Sequence, residues 1–278
     1  MSELASPQGR LEVARAAAEI AVEAGLGLTA QLGRLAEADI RTKSARRDLV
    51  TAADVQAERT IVDRLRKLFP GHAIEAEEEV RDPDDALRPR WFVDPLDGTV
   101  NFVHELPAFA VSMGLFVGEE PVVGVVHAPR LNETFIGAAG AGAFLGEERL
   151  SISATEELDD AILATGFPYL RNELPNNNLG NFDRLFGRVR GMRRMGSAAI
   201  DLAYTAAGRI DAYWELHLSP HDVAAGALLV REAGGIVTDG VGGDRWLREV
   251  DGVQSIVAGP AALHRAILDT IRTGPDPR

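Results

Sequence analysis

The 278-residue sequence predicts a layered arrangement of helices and sheets, of the α/β or α+β class, in one domain. Three features indicate this class: helical periodicity near the start, a strand-rich block in the middle, and alternating strands and helices in the last third. These parts cover about residues 10–68, 73–145 and 162–271. No repeat, low-complexity segment or long linker separates them.

Two helices are predicted before the strand-rich block. Apolar residues recur at helical spacing over residues 10–36. A second helix is expected to follow Thr51, which forms a capping-box pattern with Asp54 three residues later. Pro70 and Gly71 mark its end.

The middle block is predicted to contain short strands separated by turns. They are recognised as runs rich in β-branched and other apolar residues. The runs are Ala73–Ala76, Trp91–Val93, Val111–Val117, Val122–His127, Glu133–Ala138 and Ala143–Leu145.

The last third is predicted to alternate strands with helices. The expected strands are Ile162–Thr165, Met192–Met195, Ala212–Glu215, Ile236–Thr238 and Ile256–Ala258. The expected helices are Ala198–Ala207, Asp222–Ala233 and Pro260–Ile271. The polar segment Asn172–Asn178 is interpreted as a loop. A soft boundary near 150–160 would divide the single domain 1–278 into a metal- and phosphate-binding part, 1–155, and a substrate-completing part, 156–278.

Composition restricts the function before any motif is considered. A net charge of -13 disfavours contact with a nucleic-acid backbone. The absence of cysteine excludes disulfides, thiol catalysis and cysteine-ligated metals. No apolar stretch approaches the about 20 residues of a membrane span, and no signal peptide is visible. We therefore expect a cytoplasmic protein that binds neither nucleic acid nor membrane.

The most informative segment joins a predicted strand to two aspartates. Asp94 and Asp97 follow the apolar run, and either one or two hard cations would accept their carboxylates as ligands. Gly98 permits unusual backbone angles, and the amides of Gly98 and Thr99 would face an anion if a helix starts there. The competing interpretation is an ordinary turn, since Asp-Pro and Asp-Gly pairs are common in turns.

Other acidic groups each have a structural explanation as well as a functional one. Glu77 begins a run of three glutamates after a predicted strand, which a solvated surface also explains. Asp222 lies at a helix start, where a capping role is ordinary. The pattern around Asp48, which also includes Asp54, is again explicable by capping.

Taken together, these segments resemble the inositol monophosphatase family, which belongs to a superfamily of magnesium-dependent, lithium-sensitive phosphatases. The family motif W-x-x-D-P-x-D-G-T-x-N-F-x-x-x-x-P is complete from Trp91 to Pro107. A second motif, W-D-x-A-x-G followed by E-A-G-G, is present from His221 to Gly235, with His221 in place of tryptophan. The resemblance extends from about residue 10 to 272.

The resemblance implies two or three Mg²⁺ ions per site. Glu77, Asp94 and the carbonyl oxygen of Leu96 would bind the first, and Asp94, Asp97 and Asp222 the second. This requires side chains that are distant in sequence to converge. The family fold is a layered αβαβα sandwich, and its members usually assemble as homodimers.

The resemblance also assigns catalytic and substrate-binding residues. Thr99, with Glu77 and Asp48, would orient or deprotonate the attacking water. Gly98 and Thr99 would bind the phosphate. The alcohol part of the substrate would contact Asp97, Ala198 and Glu215.

The expected activity is hydrolysis of a small phosphate monoester, inositol-1-monophosphate in the first instance, by metal-activated water. Glu215 favours a polyol of this type. The alternatives are a sister phosphatase, acting on histidinol phosphate, fructose-1,6-bisphosphate or a nucleotide 3′-phosphate, and a non-catalytic regulatory protein. His221 either touches the site or fills the space of the family's tryptophan.

Overall fold

The computed structural model describes residues 3–43, 45–46, 48–85, 87–250 and 252–275. The first helices and strands are α1 (Pro7–Gln31), β1 (Ile40–Thr42), β2 (Leu49–Thr51), α2 (Ala52–Leu68), β3 (Ala73–Ala76), β4 (Arg90–Asp97) and α3 (Thr99–Val103). Next come β5 (Ala110–Val117), β6 (Glu120–Ala128), β7 (Glu133–Ala138), β8 (Gly142–Leu145) and β9 (Glu148–Arg149).

The remaining elements alternate as expected. They are β10 (Ile162–Thr165), α4 (Leu179–Phe186), β11 (Gly191–Arg193), α5 (Ala198–Ala206), β12 (Ala212–Leu216), α6 (Pro220–Glu232), β13 (Ile236–Thr238), β14 (Ser255–Gly259) and α7 (Ala261–Thr270). Short 3₁₀ turns lie at Glu37–Asp39 and Leu158–Asp160.

Two main sheets carry the fold. In the described part of the chain, strands β3 to β9 lie side by side in sequence order, and every pair except β3–β4 is antiparallel. The second sheet has the order β11-β10-β12-β14-β13 and mixes parallel with antiparallel pairs. A small hairpin pairs β1 with β2.

Five layers follow from the packing of these elements. Helices α1 and α2 cover one face of the first sheet, and α5 and α6 lie between the two sheets. Helices α4 and α7 pack together, and α7 covers the outer face of the second sheet. Among the described residues, three apolar clusters hold the layers together. One lies between the α1–α2 pair and the first sheet, one surrounds α5 and α6 between the two sheets, and one lies between the second sheet and α7. The expected αβαβα sandwich is therefore confirmed.

Several boundaries differ from the sequence-based expectations. Helix α1 ends at Gln31 rather than 36, and β4 continues past Val93 to Asp97. The hairpin β1–β2 and helix α4 were not predicted, because the strands are only three residues long and α4 follows an asparagine-rich segment. The capping box of Thr51 and Asp54 is confirmed. The division near residues 150–160 stays a prediction.

The length and composition of the helices indicate whether they could span a membrane. None of those in the described ranges combines the length and the apolar character that crossing a bilayer requires.

Candidate metal and phosphate site

The end of β4 carries two carboxylates of the site. Its pairing with β5 shifts register between Asp94 and Asp97, where Pro95 lacks an amide proton to donate to the ladder. Within this irregularity the amide of Leu96 donates to Asp94 Oδ1 at 2.9 Å. Both aspartates are largely buried, so neither belongs to a solvated turn.

Asp222 reaches the same place from the first turn of α6, the helix that lies between the two sheets. It lies three residues after the N-cap of α6, and its Oδ2 accepts the amide proton of Ser219 at 2.6 Å. Asp222 thus also has the helix-capping role considered from the sequence. Carboxylate oxygens of Asp94, Asp97 and Asp222 all lie within 4.8 Å of one another. The structure therefore brings together residues more than 120 positions apart in the sequence.

Burial and mutual repulsion raise the pKa of each acid in this group. Burial is the largest cause for Asp94, whose pKa lies well above its usual range, and the charges of Glu77, Asp97 and Asp222 add to it. Burial likewise raises the pKa of Asp97 and of Asp222 to about 7. Closely spaced buried carboxylates favour a cation or protons between them.

Gly98 redirects the chain from β4 into α3. Its φ of 93° lies in the left-handed region, which an L side chain rarely adopts. An added Cβ would also come within 2.9 Å of the carbonyl oxygen of Ala108. This turn positions Thr99 at the start of α3, beside the aspartates.

Thr99 is held by a residue that the sequence did not single out for the site. Its Oγ1 lies 3.0 Å from Asp54 Oδ1 and 3.1 Å from the carbonyl oxygen of Leu96. The other oxygen of Asp54 accepts both the amide and the hydroxyl protons of Thr51. Asp54 therefore caps α2 and fixes Thr99, and the capping pattern was its only visible signal in the sequence.

Glu77 pairs with a lysine that sequence reasoning missed. Lys43 Nζ lies 2.8 Å from Glu77 Oε1 and 2.6 Å from Glu78 Oε1. Although burial lowers the pKa of Lys43, the charges and hydrogen bonds of the two glutamates outweigh it and raise this pKa above its usual range. Lys43 thus provides a positive charge at one edge of the acidic site.

A cavity of about 240 Å³ collects most of the sequence-predicted residues. Those that line it are Asp48, Glu77, Asp94, Leu96, Asp97, Gly98, Thr99 and Asp222. Lys43, Tyr169, His217 and Ser219 line it as well, and none of these four was predicted. Burial, followed by the charges of Asp97 and Asp222, raises the pKa of the Tyr169 hydroxyl, which therefore keeps its proton.

Ala198 and Glu215 are absent from the described residues that line this cavity, and they lie behind Asp97. Asp97 Oδ2 accepts protons from Ser197 Oγ at 2.6 Å and from the amide of Ala199 at 2.7 Å, at the start of α5. The hydroxyl of Tyr213 donates to Glu215 Oε2. Burial raises the pKa of Glu215 to about 7.

Gly166 provides the space that the Glu215 carboxylate occupies. A Cβ on Gly166 would lie 2.1 Å from both Oε1 and Oε2 of Glu215. Any larger side chain at this position would therefore require the Glu215 carboxylate to move. The position directly after β10 gave no such signal in the sequence, because the contact joins separate strands.

His221 packs where the family has tryptophan. Its ring meets Phe92 edge-on, with centroids 6.0 Å apart. Burial lowers the pKa of His221, which favours the neutral imidazole. Its Nε2 is buried without a hydrogen-bond partner among the described residues, and the space-filling role of His221 stays a prediction.

The donor set fits a hard divalent cation. Asp94, Asp97 and Asp222 offer carboxylate oxygens, the ligands that Mg²⁺ and Mn²⁺ prefer, and among the described residues this cluster includes no histidine or cysteine. The raised pKa values of Asp94, Asp97 and Asp222 point the same way, since a bound cation would relieve their repulsion.

Comparison with known proteins shows which family this chain is similar to. The model of the inositol monophosphatase family matches residues 10–274. The chain is 42% identical over 266 residues to the Nus factor SuhB of Pseudomonas aeruginosa, covering 94% of each protein. It is 41% identical over 256 residues to an inositol-1-monophosphatase of Caulobacter vibrioides, covering 91% of this chain and 98% of that one.

Solved structures give the same result. SuhB from Bartonella henselae superposes with a TM-score of 0.86 at 36% identity, covering 95% of this chain and 99% of that one. An inositol monophosphatase from Anabaena superposes with a TM-score of 0.82 at 38% identity, covering 94% and 95%. With this sequence similarity, this fold and this acidic site, the chain belongs to the inositol monophosphatase family.

Proposed function

We propose that the chain is a magnesium-dependent phosphatase that hydrolyses inositol-1-monophosphate. The observation that carries the proposal is the convergence of the Asp94, Asp97 and Asp222 carboxylates in one cavity with Thr99 and Glu77. A site for binding alone needs no residue to orient water. Membership of a phosphatase family supports the same activity.

The proposed metal ligands divide between two ions. Glu77, Asp94 and the Leu96 carbonyl would hold the first, and Asp94, Asp97 and Asp222 the second. When bound, such ions neutralise the phosphate and lower the pKa of water. A third, weaker ion near Glu77 remains part of the proposal. We also propose that lithium ions inhibit the activity that depends on these metal ions.

The chain's own groups would orient the reactants. The amides of Gly98 and Thr99 are proposed to bind the phosphate oxygens. Thr99 Oγ1, which lies against Asp54, would orient the attacking water together with Glu77 and Asp48. Lys43 carries a positive charge that would attract the phosphate dianion toward this edge of the cavity.

The alcohol part of the substrate is proposed to contact Asp97, Ala198 and Glu215. A polyol offers hydroxyl protons, and carboxylate oxygens accept them. Glu215 is supported by Tyr213 and seated against Gly166, so the position of this acceptor is restricted. A restricted acceptor favours a substrate with a hydroxyl at one defined place.

The oligomeric state and the cellular location that we propose are those expected from the sequence. A homodimer is supported by exposed apolar side chains on α4, where Leu179 and Phe186 are 58% and 61% exposed. We also propose that the protein is cytoplasmic and contacts neither membrane nor nucleic acid.

Phosphate release tests the substrate proposal. The panel contains inositol-1-monophosphate, histidinol phosphate, fructose-1,6-bisphosphate and adenosine 3′,5′-bisphosphate, each with Mg²⁺ and with chelator. We expect the highest kcat/KM for inositol-1-monophosphate and none of the four hydrolysed in chelator. Preference for another ester would instead identify the sister phosphatase, and equal rates in chelator would contradict the metal site.

A second candidate function rests on the similarity to proteins named Nus factor. In that case the chain would act through a partner rather than through hydrolysis. A variant such as Asp94→Asn separates the two functions, since it would abolish phosphate release and leave a partner-dependent function intact.

A further inference from the structure

A buried glutamate on α2 holds the segment that follows Glu77. Glu58 is only 1% exposed, yet its carboxylate faces three consecutive backbone amides. Oε2 accepts the amide proton of Glu78 at 2.7 Å. Oε1 accepts those of Glu79 at 2.8 Å and Val80 at 2.9 Å. A carboxylate buried in this way is fully engaged in fixing one short turn.

This turn is fixed from its other side by the first sheet. The amide of Glu77 donates to the carbonyl oxygen of Val93 in β4 at 3.0 Å, and that of Ala76 donates to the carbonyl oxygen of Val80 at 2.7 Å. Glu77 is therefore bonded to the sheet through its own amide, and the first residue bonded to Glu58 comes directly after it. Its backbone position is defined from both directions.

The acidic sequence of the turn explains why such an anchor is needed. Three glutamates stand in a row, and their like charges favour an open, extended arrangement. Lys43 pairs with Glu77 and Glu78, and Arg59 pairs with Glu79 at the surface. These ion pairs hold side chains, whereas Glu58 holds the backbone itself.

Glu58 lies one helical turn after Asp54 on the same face of α2. Asp54 fixes Thr99, and Glu58 fixes the turn next to Glu77. One helix face thus sets the relative position of two segments that border the cavity.

We propose that Glu58 is a positioning residue for the metal site: by holding the amides of residues 78–80, it presents Glu77 in the geometry that binds the cation. The proposal rests on the function proposed above, in which Glu77 is a metal ligand. Partners that orient metal ligands typically contribute about 10- to 100-fold to metal affinity.

Glu58→Gln tests the proposal with almost no change in side-chain volume. The new amide group would meet the N–H of Glu78, donor against donor, while one oxygen remains for the other two amides. Glu79→Gln is the matched control, because it removes one negative charge from the same turn at an exposed position. Glu77→Gln is the reference for loss of the ligand itself.

Three quantities are measured: the Mg²⁺ concentration for half-maximal activity, the Mg²⁺ dissociation constant by calorimetry, and hydrogen exchange of the amides of residues 78–80. For Glu58→Gln we expect both Mg²⁺ constants to rise about tenfold or more, and the three amides to exchange faster. Glu79→Gln should leave both constants near those of the unmodified chain. If Glu58→Gln does not fold, Glu58→Asp, which keeps the charge but shortens the reach, gives the same comparison.

The outcomes separate this inference from the proposed function. Unchanged Mg²⁺ constants in folded Glu58 variants, with raised constants in Glu77→Gln, would overturn the positioning role alone. If Glu77→Gln also bound Mg²⁺ normally, the proposed metal site would itself be wrong.

Discussion

At the scale of single residues, the side chains around the cavity serve structure and site at the same time. Asp222 caps α6 and contributes to the acidic cluster, and Asp54 caps α2 and fixes Thr99. A carboxylate has two oxygens, so one can satisfy a helix terminus while the other faces the site. For these residues, the capping and functional interpretations of the sequence are compatible.

We predict that Asp94→Asn and Asp222→Asn each lower turnover by about two orders of magnitude or more, because a negative charge that holds the cation is lost. Initial rates over a range of Mg²⁺ concentrations measure this effect. Asp160→Asn, at an exposed position, is the control. Near-normal activity of either site variant at low Mg²⁺ would show that the metal assignment is wrong.

Gly166 is predicted to determine specificity through Glu215. In Gly166→Ala the new methyl group would displace the carboxylate, so the KM for inositol-1-monophosphate should rise about tenfold, the value of roughly one hydrogen bond. Hydrolysis of p-nitrophenyl phosphate, which lacks a polyol, should change much less. Gly187→Ala is the control, because nothing lies within 4 Å of an added Cβ there. Equal losses on both esters would argue against a role in recognising the alcohol.

At the scale of secondary-structure elements, α6 connects the site to the far edge of the first sheet. Its first turn carries Asp222, and its last residue, Glu232, accepts the amide protons of Gly140 at 2.9 Å and Gly142 at 2.8 Å. Gly140 lies in the turn between β7 and β8, and Gly142 is the first residue of β8. The glutamate of the E-A-G-G motif therefore anchors a hairpin rather than the reactive groups.

We expect Glu232→Ala to lower the free energy of unfolding by about 1–3 kcal/mol, since two hydrogen bonds to a charged acceptor are lost. Denaturant unfolding measures this change, and Glu148→Ala, an exposed substitution in β9, is the control. The specific activity of the folded variant should stay normal. A loss of activity without loss of stability would contradict this structural role.

At the scale of the whole molecule, the fold buries several carboxyl groups close together, where their ionised forms are unfavourable. Burial raises the pKa of Asp97 from its ordinary 3.8 to about 7, so ionising this carboxyl is less favourable in the folded protein than in the unfolded chain. Asp222 and Glu215 are shifted in the same direction. Without a cation, the folded state therefore keeps these protons at pH values at which the unfolded chain has already lost them.

This difference predicts how stability depends on pH. Groups with a raised pKa stabilise the fold below their unfolded pKa, and this contribution is lost as the pH rises through the folded value. In chelator, Tm should therefore fall between about pH 4 and about pH 7, the unfolded and folded pKa values of Asp97 and Asp222. Saturating Mg²⁺ should reduce or abolish the fall, because the cation replaces the protons. Parallel Tm curves with and without Mg²⁺ would contradict this account.

The sequence predicted the parts of the molecule that local patterns define. The αβαβα sandwich followed from the family resemblance, and Asp94, Asp97 and Asp222 from two motifs. Strand β4 was ended too early because Asp94 and Pro95 are typical of a turn, whereas the structure accommodates them as a register shift. Lys43, Tyr169 and the anchoring role of Glu58 were missed, because each depends on contacts between segments that only the tertiary fold brings together.

The most direct test of the central claim is a crystal structure of the protein soaked in Mn²⁺, with the ions located by anomalous scattering. We predict peaks within ligand distance, about 2 Å, of carboxylate oxygens of Asp94, Asp97 and Asp222, and a peak shared by Asp94, Glu77 and the Leu96 carbonyl. Peaks only at other acidic groups, or none among these residues at saturating Mn²⁺, would contradict the account.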